Sequence, residues 1–306
     1  MKSGFTAALL VVAALSLSGC DQSSDKAQAA YNRQDYTTAI SLWRPLAAQG
    51  DAKAQSNLGV MYANGTGVAQ DYKEAARLYG LAAAQGDATA QSNLGVMYAN
   101  GTGVAQDDKE AVRLYGLAAA QGEAKAQYNL GVMYDNGRGV AQDDKEAVRL
   151  YGLAAAQGYA SAQFYLGYLY SHGQGVAQDY KEAVRLYRLA AAQGYRSAQF
   201  YLGLMYVNGT GVPQDYKEAV RLYRLAAAQG YVSAQFSLGE MYANGQGVAQ
   251  DYVRAHMWYN LGAISGDSTV AASNREKIAK SMTPSQIERA QDMARKCQAS
   301  NFKQCQ

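Results

Sequence analysis

The stretch AQSNLGVMYANGTGVAQD at residues 54–71 recurs letter for letter at residues 90–107. Working outward from these copies, the whole chain aligns on itself with a period of 36. Glycine falls at 50, 86, 122, 158, 194, 230 and 266, Leu-Gly at 58, 94, 130, 166, 202 and 238, and Gly-Val at 67, 103, 139, 175, 211 and 247. Six units therefore lie between Asp51 and Gly266. A fixed period in this range signals a solenoid, in which each unit buries its apolar face against the next.

Within a unit the pattern predicts two helices. Ala54, Leu58 and Met61 or Tyr62 fall at i, i+4 and i+7 or i+8, which is one buried stripe. Gly59, inside that stripe, lets the neighbouring helix approach closely. Asn64-Gly65 ends the helix, with Gly65 free to adopt the left-handed cap. Asp71 is placed to cap the second helix, and Glu74 three positions on predicts a capping box. Ala75, Leu78, Tyr79 and Ala82 form the second stripe, and Gly86 closes the unit. Helices of about twelve residues are roughly 18 Å long.

The spelling A-x-x-x-L-G-x-x-Y-x-x-G-x-G-V, then D-x-x-x-A, then A-A-x-x-G resembles the Sel1-like repeat family, a relative of the tetratricopeptide repeats. The resemblance covers residues 51–266. It implies an all-α fold, a right-handed α-solenoid of helix–loop–helix repeats with a concave groove. Residues 27–50 read as a degenerate N-terminal repeat, its loop shortened to Gln34-Asp35-Tyr36 and its second helix expected to kink at Pro45. Residues 267–306 read as C-terminal capping helices and a tail, the last helix opened by Thr283-Pro284 with Gln286 at its third position.

Residues 1–19 read as a signal peptide. Met1-Lys2 supplies a minimal positive region, and the apolar run Phe5–Leu17 is too short to span as a stable membrane helix. Leu17-Ser18-Gly19-Cys20 resembles a bacterial lipobox, which makes Cys20 the expected lipidation site; an ordinary secretory signal is the alternative. Three acyl chains on Cys20 would exceed the two signals that stable anchoring requires. Asp21 resembles the enterobacterial signal for inner-membrane retention, and residues 20–26 read as a short linker. The expected location is the bacterial cell envelope, facing the periplasm. In that oxidising compartment Cys297 and Cys305 are expected to form a disulfide, since no nearby histidine completes a zinc site.

Composition limits the other functions. Net charge is +3 from 28 basic and 25 acidic residues, which gives no strong field for a polyanion. The seven basic and three acidic residues from Ser273 onward read as a solvated helix face, so no nucleic-acid partner is expected. There are two histidines, His172 and His256, and neither pairs with a serine or cysteine at a recognisable spacing. The Asp-x-x-Glu pairs recur at capping positions, and Gly-x-Gly follows a helix instead of a strand, so the phosphate-cradle reading fails its context. No catalytic residue, cofactor or metal is expected.

The copies differ mostly along one face of the first helix. One column reads Asn57, Asn93, Asn129, Tyr165, Tyr201, Ser237; the position before it reads Ser56, Ser92, Tyr128, Phe164, Phe200, Phe236; a third reads Val60, Val96, Val132, Tyr168, Leu204, Glu240. In related solenoids this face lines the concave groove. The expected partner-binding residues are Asn57, Asn93, Tyr128, Asn129, Phe164, Tyr165, Tyr168, Phe200 and Tyr201, with Tyr165 and Tyr201 exposed enough to be truncated without loss of stability. For Phe164 and Phe200, packing between adjacent first helices stands as an equal reading. Tyr159, Tyr195 and Tyr231 follow the unit-closing glycine and read as structural. Aromatic contact area suits a protein partner, which makes a non-catalytic, lipid-anchored scaffold the favoured function. A peptidoglycan or other glycan binder is the alternative. A β-lactamase-like activity, described for cysteine-rich relatives, is opposed by the lack of cysteine pairs within these repeats.

Overall fold

The computed structural model describes residues 23–266, 269–302 and 305. The signal segment 1–19, Cys20 and Asp21 lie outside them. Every regular element among the described residues is a helix. Helix α1 (23–32) and α2 (Tyr36–Ala48) precede the repeats. The first helices of the six repeats are α3 (Ala52–Asn64), α5 (Ala88–Asn100), α7 (Ala124–Asn136), α9 (Ala160–His172), α11 (Arg196–Asn208) and α13 (Val232–Asn244). The second helices are α4 (Tyr72–Ala84), α6 (Asp108–Ala120), α8 (Asp144–Ala156), α10 (Tyr180–Ala192), α12 (Tyr216–Ala227) and α14 (Tyr252–Gly266), and α15 (Thr269–Ala279) and α16 (Pro284–Ala299) close the chain. Within residues 1–143 and within residues 144–306 the successive helices of the repeats pack on one another, as in an all-α solenoid. The chain forms two compact units, residues 1–143 and 144–306.

In residues 1–143, residues 23–26, expected within a linker, are helical in α1. The reason is packing: Ala27 and Ala30 are fully buried in a cluster with Ala39, Trp43 and Leu46 of α2. Helix α2 runs through Pro45 to Ala48, where the Gln49 N–H donates to Pro45 O at 3.1 Å. In α3 the Asp51 carboxylate accepts from the Ala54 N–H at 2.7 Å, and Gly65 ends the helix at φ 68° with its N–H on Met61 O. Asp71 then caps α4, accepting from the Lys73 and Glu74 N–H groups at 2.9 and 3.0 Å.

The capping box expected at Glu74 does not form. Its carboxylate instead accepts two bonds from Arg77, at 2.7 and 2.8 Å. A bidentate, charge-assisted pair outcompetes one bond from a neutral backbone N–H. The same i,i+3 pair recurs as Glu110–Arg113, Glu146–Arg149, Glu182–Arg185 and Glu218–Arg221.

Two glycine contacts set the spacing of the stack. A Cβ on Gly59 would lie 2.7 Å from the Tyr79 ring, so the α3–α4 crossing depends on a side chain of a single hydrogen. In the loop, Gly103 (φ +73°) sits where a Cβ would meet Tyr72 O at 2.3 Å, pressing each loop onto the first turn of the preceding second helix.

A buried glutamine, unremarked in the sequence, ties the repeats together. Gln55 donates to Ala47 O of α2 at 3.0 Å, and its own amide oxygen accepts from Gln85 at 2.9 Å. Gln91 repeats the arrangement with Ala83 O and Gln121. These bonds add a side-chain donor to last-turn carbonyls that also accept from the Gly50 and Gly86 N–H groups.

Residues 144–306 use the same devices, with Gln163 on Ala155 O, Gln199 on Ala191 O, and Gln193 and Gln229 returning to them. Helix α14 carries the terminal core of Ala255, Met257, Trp258, Tyr259 and Leu261, covered by α15 and α16. Thr283 and Gln286 form a reciprocal capping box at α16. Cys297, fully buried, is joined to Cys305 with Cα atoms 4.7 Å apart.

Candidate interaction surface

In residues 144–306 the aromatic columns resolve into ring contacts between repeats, in which Phe164 is buried and Phe200 and Phe236 are half-buried, and an accessible layer beside them. Phe164 is only 7% exposed. Its ring lies 5.7 Å from Tyr187 of its own repeat, 5.3 Å from Tyr195 and 5.4 Å from Tyr201 of the next. Phe200 repeats this with Tyr223 at 5.6 Å and Tyr231 at 5.2 Å, and Phe236 with Tyr259 at 5.7 Å. The expectation that Phe164 lines a groove is therefore corrected, while Phe200, half-buried, shares its kind of ring contact. They pack between repeats, because their position borders the Ala-Leu stripe and a large ring there meets the second-helix tyrosine.

Tyr195 and Tyr231 explain why these ring contacts appear in these repeats. Each stands at the N-cap position, where Asp51 and Asp87 stand in earlier units, and makes no side-chain cap bond. The lost cap is exchanged for ring contact with the phenylalanine of the preceding repeat. Where the cap is acidic, the partner position holds Ser56 or Ser92.

The accessible layer consists of Tyr165, Tyr168 and Tyr201, each half-buried, with Leu204 beside them at 37% exposure. Tyr201 touches Phe164, Tyr168, Tyr187 and Phe200, and Tyr165 lies 5.8 Å from Tyr151 and 5.2 Å from Phe164. Both rings thus carry packing as well as surface, which corrects the expectation that they are freely truncated. Tyr168 stacks on His172 with centroids 4.0 Å apart. Glu240 ends the third column, and partial burial raises its carboxyl above the usual range.

In residues 1–143 the corresponding positions are polar and internally engaged. Asn57 donates to Gln28 at 3.4 Å, Lys125 donates to Asn93 at 3.2 Å, and Asn93 also bonds the buried Tyr79 hydroxyl. Tyr128 and Asn129 are half-buried.

Groups suited to proton transfer are otherwise occupied. Burial pushes the phenols of Tyr187 and Tyr223 up, and that of Tyr259 to about 12. Ser171 Oγ lies 2.8 Å from His172 Nδ1, but each also bonds the Tyr168 carbonyl of its own helix, at 2.8 and 2.9 Å. Among the described residues, no group of three His, Cys, Asp or Glu could hold a metal ion, and no helix is long and apolar enough to cross a membrane.

A stack of paired helices with tyrosines along the first-helix face belongs to the class of α-solenoid interaction modules. The Sel1 repeat model matches residues 52–87, 88–123, 124–159, 160–195, 196–231 and 232–267, and the chain belongs to the Sel1 repeat family, whose members generally mediate protein–protein interaction. Among solved structures it is similar to a Sel1 repeat protein from Oxalobacter formigenes, at 32% identity and TM-score 0.72 over 78% of this chain and 96% of that one. It is also similar to c5321, a protective antigen of uropathogenic Escherichia coli with an SLR fold, at 29% identity and TM-score 0.61 over 92% of this chain and 69% of that one. No curated protein matches the chain.

The sequence comparison of repeats overlooked a second set of differences, on the second helices. There the register of Gly80, Gly116 and Gly152 becomes Arg188 and Arg224. Arg188 donates to the Tyr206 hydroxyl at 2.8 Å and Arg224 to that of Tyr242 at 2.6 Å. Column-by-column reading of the second helix, as was applied to the first, exposes this signal.

Proposed function

We propose that this protein is a non-catalytic scaffold that holds a protein partner against the first-helix tyrosines of residues 144–306, anchored at Cys20 and facing the periplasm. The observation that carries the reading is the accessible layer. Tyr165, Tyr168 and Tyr201 stay half-buried and Leu204 is 37% exposed, whereas Phe164 has gone into packing. Half-buried tyrosines on rigid helices offer large contact area at little further entropic cost. The glycan alternative loses support, because Asn57 and Asn93 already spend their amides inside the fold. The similar chain c5321 is described as a protective antigen. An antigen must be reachable, which suits an envelope location here.

A photo-crosslinking residue placed at Leu204 in cells tests the surface, with exposed Leu189 on α10 as the control position. The expected result is a discrete protein adduct from position 204 that is absent from position 189. Adducts of equal yield at both positions, or none at 204, reject the surface. Fatty-acid labelling of wild type but not of Cys20→Ser tests the anchor separately.

A further inference from the structure

The repeat rule breaks in the last second helix. One position reads Glu74, Glu110, Glu146, Glu182, Glu218 and then Arg254, while the position three later reads Arg77, Arg113, Arg149, Arg185, Arg221 and then Met257. Five times the pair neutralises itself at 2.6–2.7 Å. In the sixth repeat it is gone. Arg254 turns back to the capping residue Asp251, which accepts from its N–H at 2.9 Å and its Nη1 at 2.6 Å.

This change meets the second one, Arg224, across a cleft of about 520 Å³ walled by Arg224, Tyr242, Asp251, Arg254, Trp258 and Phe302. The Tyr242 ring lies between the two guanidinium groups, whose central carbons are each 5.9 Å from its centroid. Asp251 offsets Arg254. Arg224 bonds the Tyr242 hydroxyl and has no carboxylate partner among the described residues. Among the described residues the cleft therefore holds one unbalanced positive charge beside aromatic walls.

Its outer wall comes from the tail. The Cys297–Cys305 disulfide folds the chain back, the Phe302 N–H donates to Cys297 O at 2.9 Å, and Phe302 is held at φ 63°. Its ring then sits 3.4 Å from where a Cβ on Gly230 would stand. The equivalent cleft one repeat earlier, at Arg188, Tyr206, Glu218 and Arg221, keeps the neutral pair and has no such wall.

We propose that this terminal cleft binds an organic carboxylate carried on an apolar body. A guanidinium fork matches a carboxylate in plane and charge. Trp258 and Phe302 receive the apolar part, and the volume lies in the range of small-ligand sites. Such a carboxylate is offered by a free aromatic or aliphatic acid, or by the C-terminus of a peptide ending in an apolar residue.

The test titrates purified protein by calorimetry with 3-phenylpropionate, with its amide, and with an N-acetylated tetrapeptide ending in phenylalanine. Binding of a free carboxylate is expected, with the amide of 3-phenylpropionate about tenfold weaker or worse. Tighter binding of the tetrapeptide would assign the site to a protein terminus, and tighter binding of the small acid to a free metabolite. Arg254→Glu, with its fold verified by a melting curve, introduces the residue that five other repeats carry at this position. It is expected to weaken the acid by about tenfold, as is Arg224→Gln. No binding by either acid, equal binding of acid and amide, or unchanged affinity in Arg254→Glu overturns the proposal.

Discussion

Gly203 lies so close to the Tyr223 ring that a methyl group in its place would sit 2.6 Å from Cε1. The same contact joins Gly59 to Tyr79, Gly95 to Tyr115, Gly167 to Tyr187 and Gly239 to Tyr259. A helix pair built this way needs the glycine for its absence of side chain, not for backbone freedom. Gly203→Ala is therefore expected to destabilise the protein by about 1–3 kcal/mol through overpacking. Gly80, in the middle of α4, has nothing within 4 Å of a notional Cβ. Gly80→Ala should stabilise by about 0.5–1 kcal/mol, the ordinary helix gain. Urea midpoints of the two variants should move in opposite directions.

Gln199 makes a second test of what joins the repeats. It is 4% exposed, donates to Ala191 O and accepts from Gln229. Gln199→Leu keeps the volume but removes the bond to Ala191 O, which retains the Gly194 N–H at 3.0 Å, and leaves the Gln229 amide with Leu225 O alone. The expected cost is about 0.5–1.5 kcal/mol for each hydrogen bond lost. Hydrogen exchange should localise the loss to the junction of α10 and α11. A Leu variant as stable as wild type would mean the ladder contributes only geometry.

These two contacts mark how far the sequence could be read. The glycine after each leucine was legible because it interrupts an apolar stripe, where only close approach explains it. The glutamine four positions earlier was not, because a polar letter beside a buried stripe looks like surface. Glu74 was misassigned for a different reason. A carboxylate three residues past an N-cap can reach back to the backbone or forward to Arg77, and spacing alone does not rank the two. The phenylalanine column was ambiguous because it stands at the edge of the core, and the partner that decides its fate, Tyr195 for Phe164, lies 31 residues away.

His256 gives the fold a pH-dependent component. The side chain is 3% exposed, and its Nδ1 has no hydrogen-bond partner among the described residues. Burial, reinforced by the charge of Arg275, holds its pKa below the ordinary imidazole value of 6.5. The unfolded chain then binds the proton more readily than the folded one, so stability falls as pH drops below the unfolded value. Between pH 7.5 and 5.5, wild type should lose more stability than His256→Leu, in which the titrating group is absent. Parallel losses in the two proteins would show that His256 titrates normally.

The pairing of Phe164 with Tyr195 yields a prediction that separates two ways of starting the same helix. In α5 the N-cap is Asp87, whose carboxylate bonds the Ala90 N–H at 2.7 Å, and the residue facing it one repeat back is Ser56. In α11 the N-cap is Tyr195, which makes no cap bond but lies 5.3 Å from the Phe164 ring. A capping side chain contributes about 1 kcal/mol, and an aromatic pair about 0.5–1.5 kcal/mol beyond its area. Tyr195→Asp in the native background should thus gain the cap and lose the ring contact, leaving stability unchanged or lowered. With Phe164→Ser already in place there is no ring to lose, and the same substitution should raise stability by about 1 kcal/mol. The difference between the two backgrounds is the coupling energy of the pair, read from the four urea midpoints of a double-mutant cycle. Additive effects would mean that Tyr195 is held by its own helix and that the two columns changed independently.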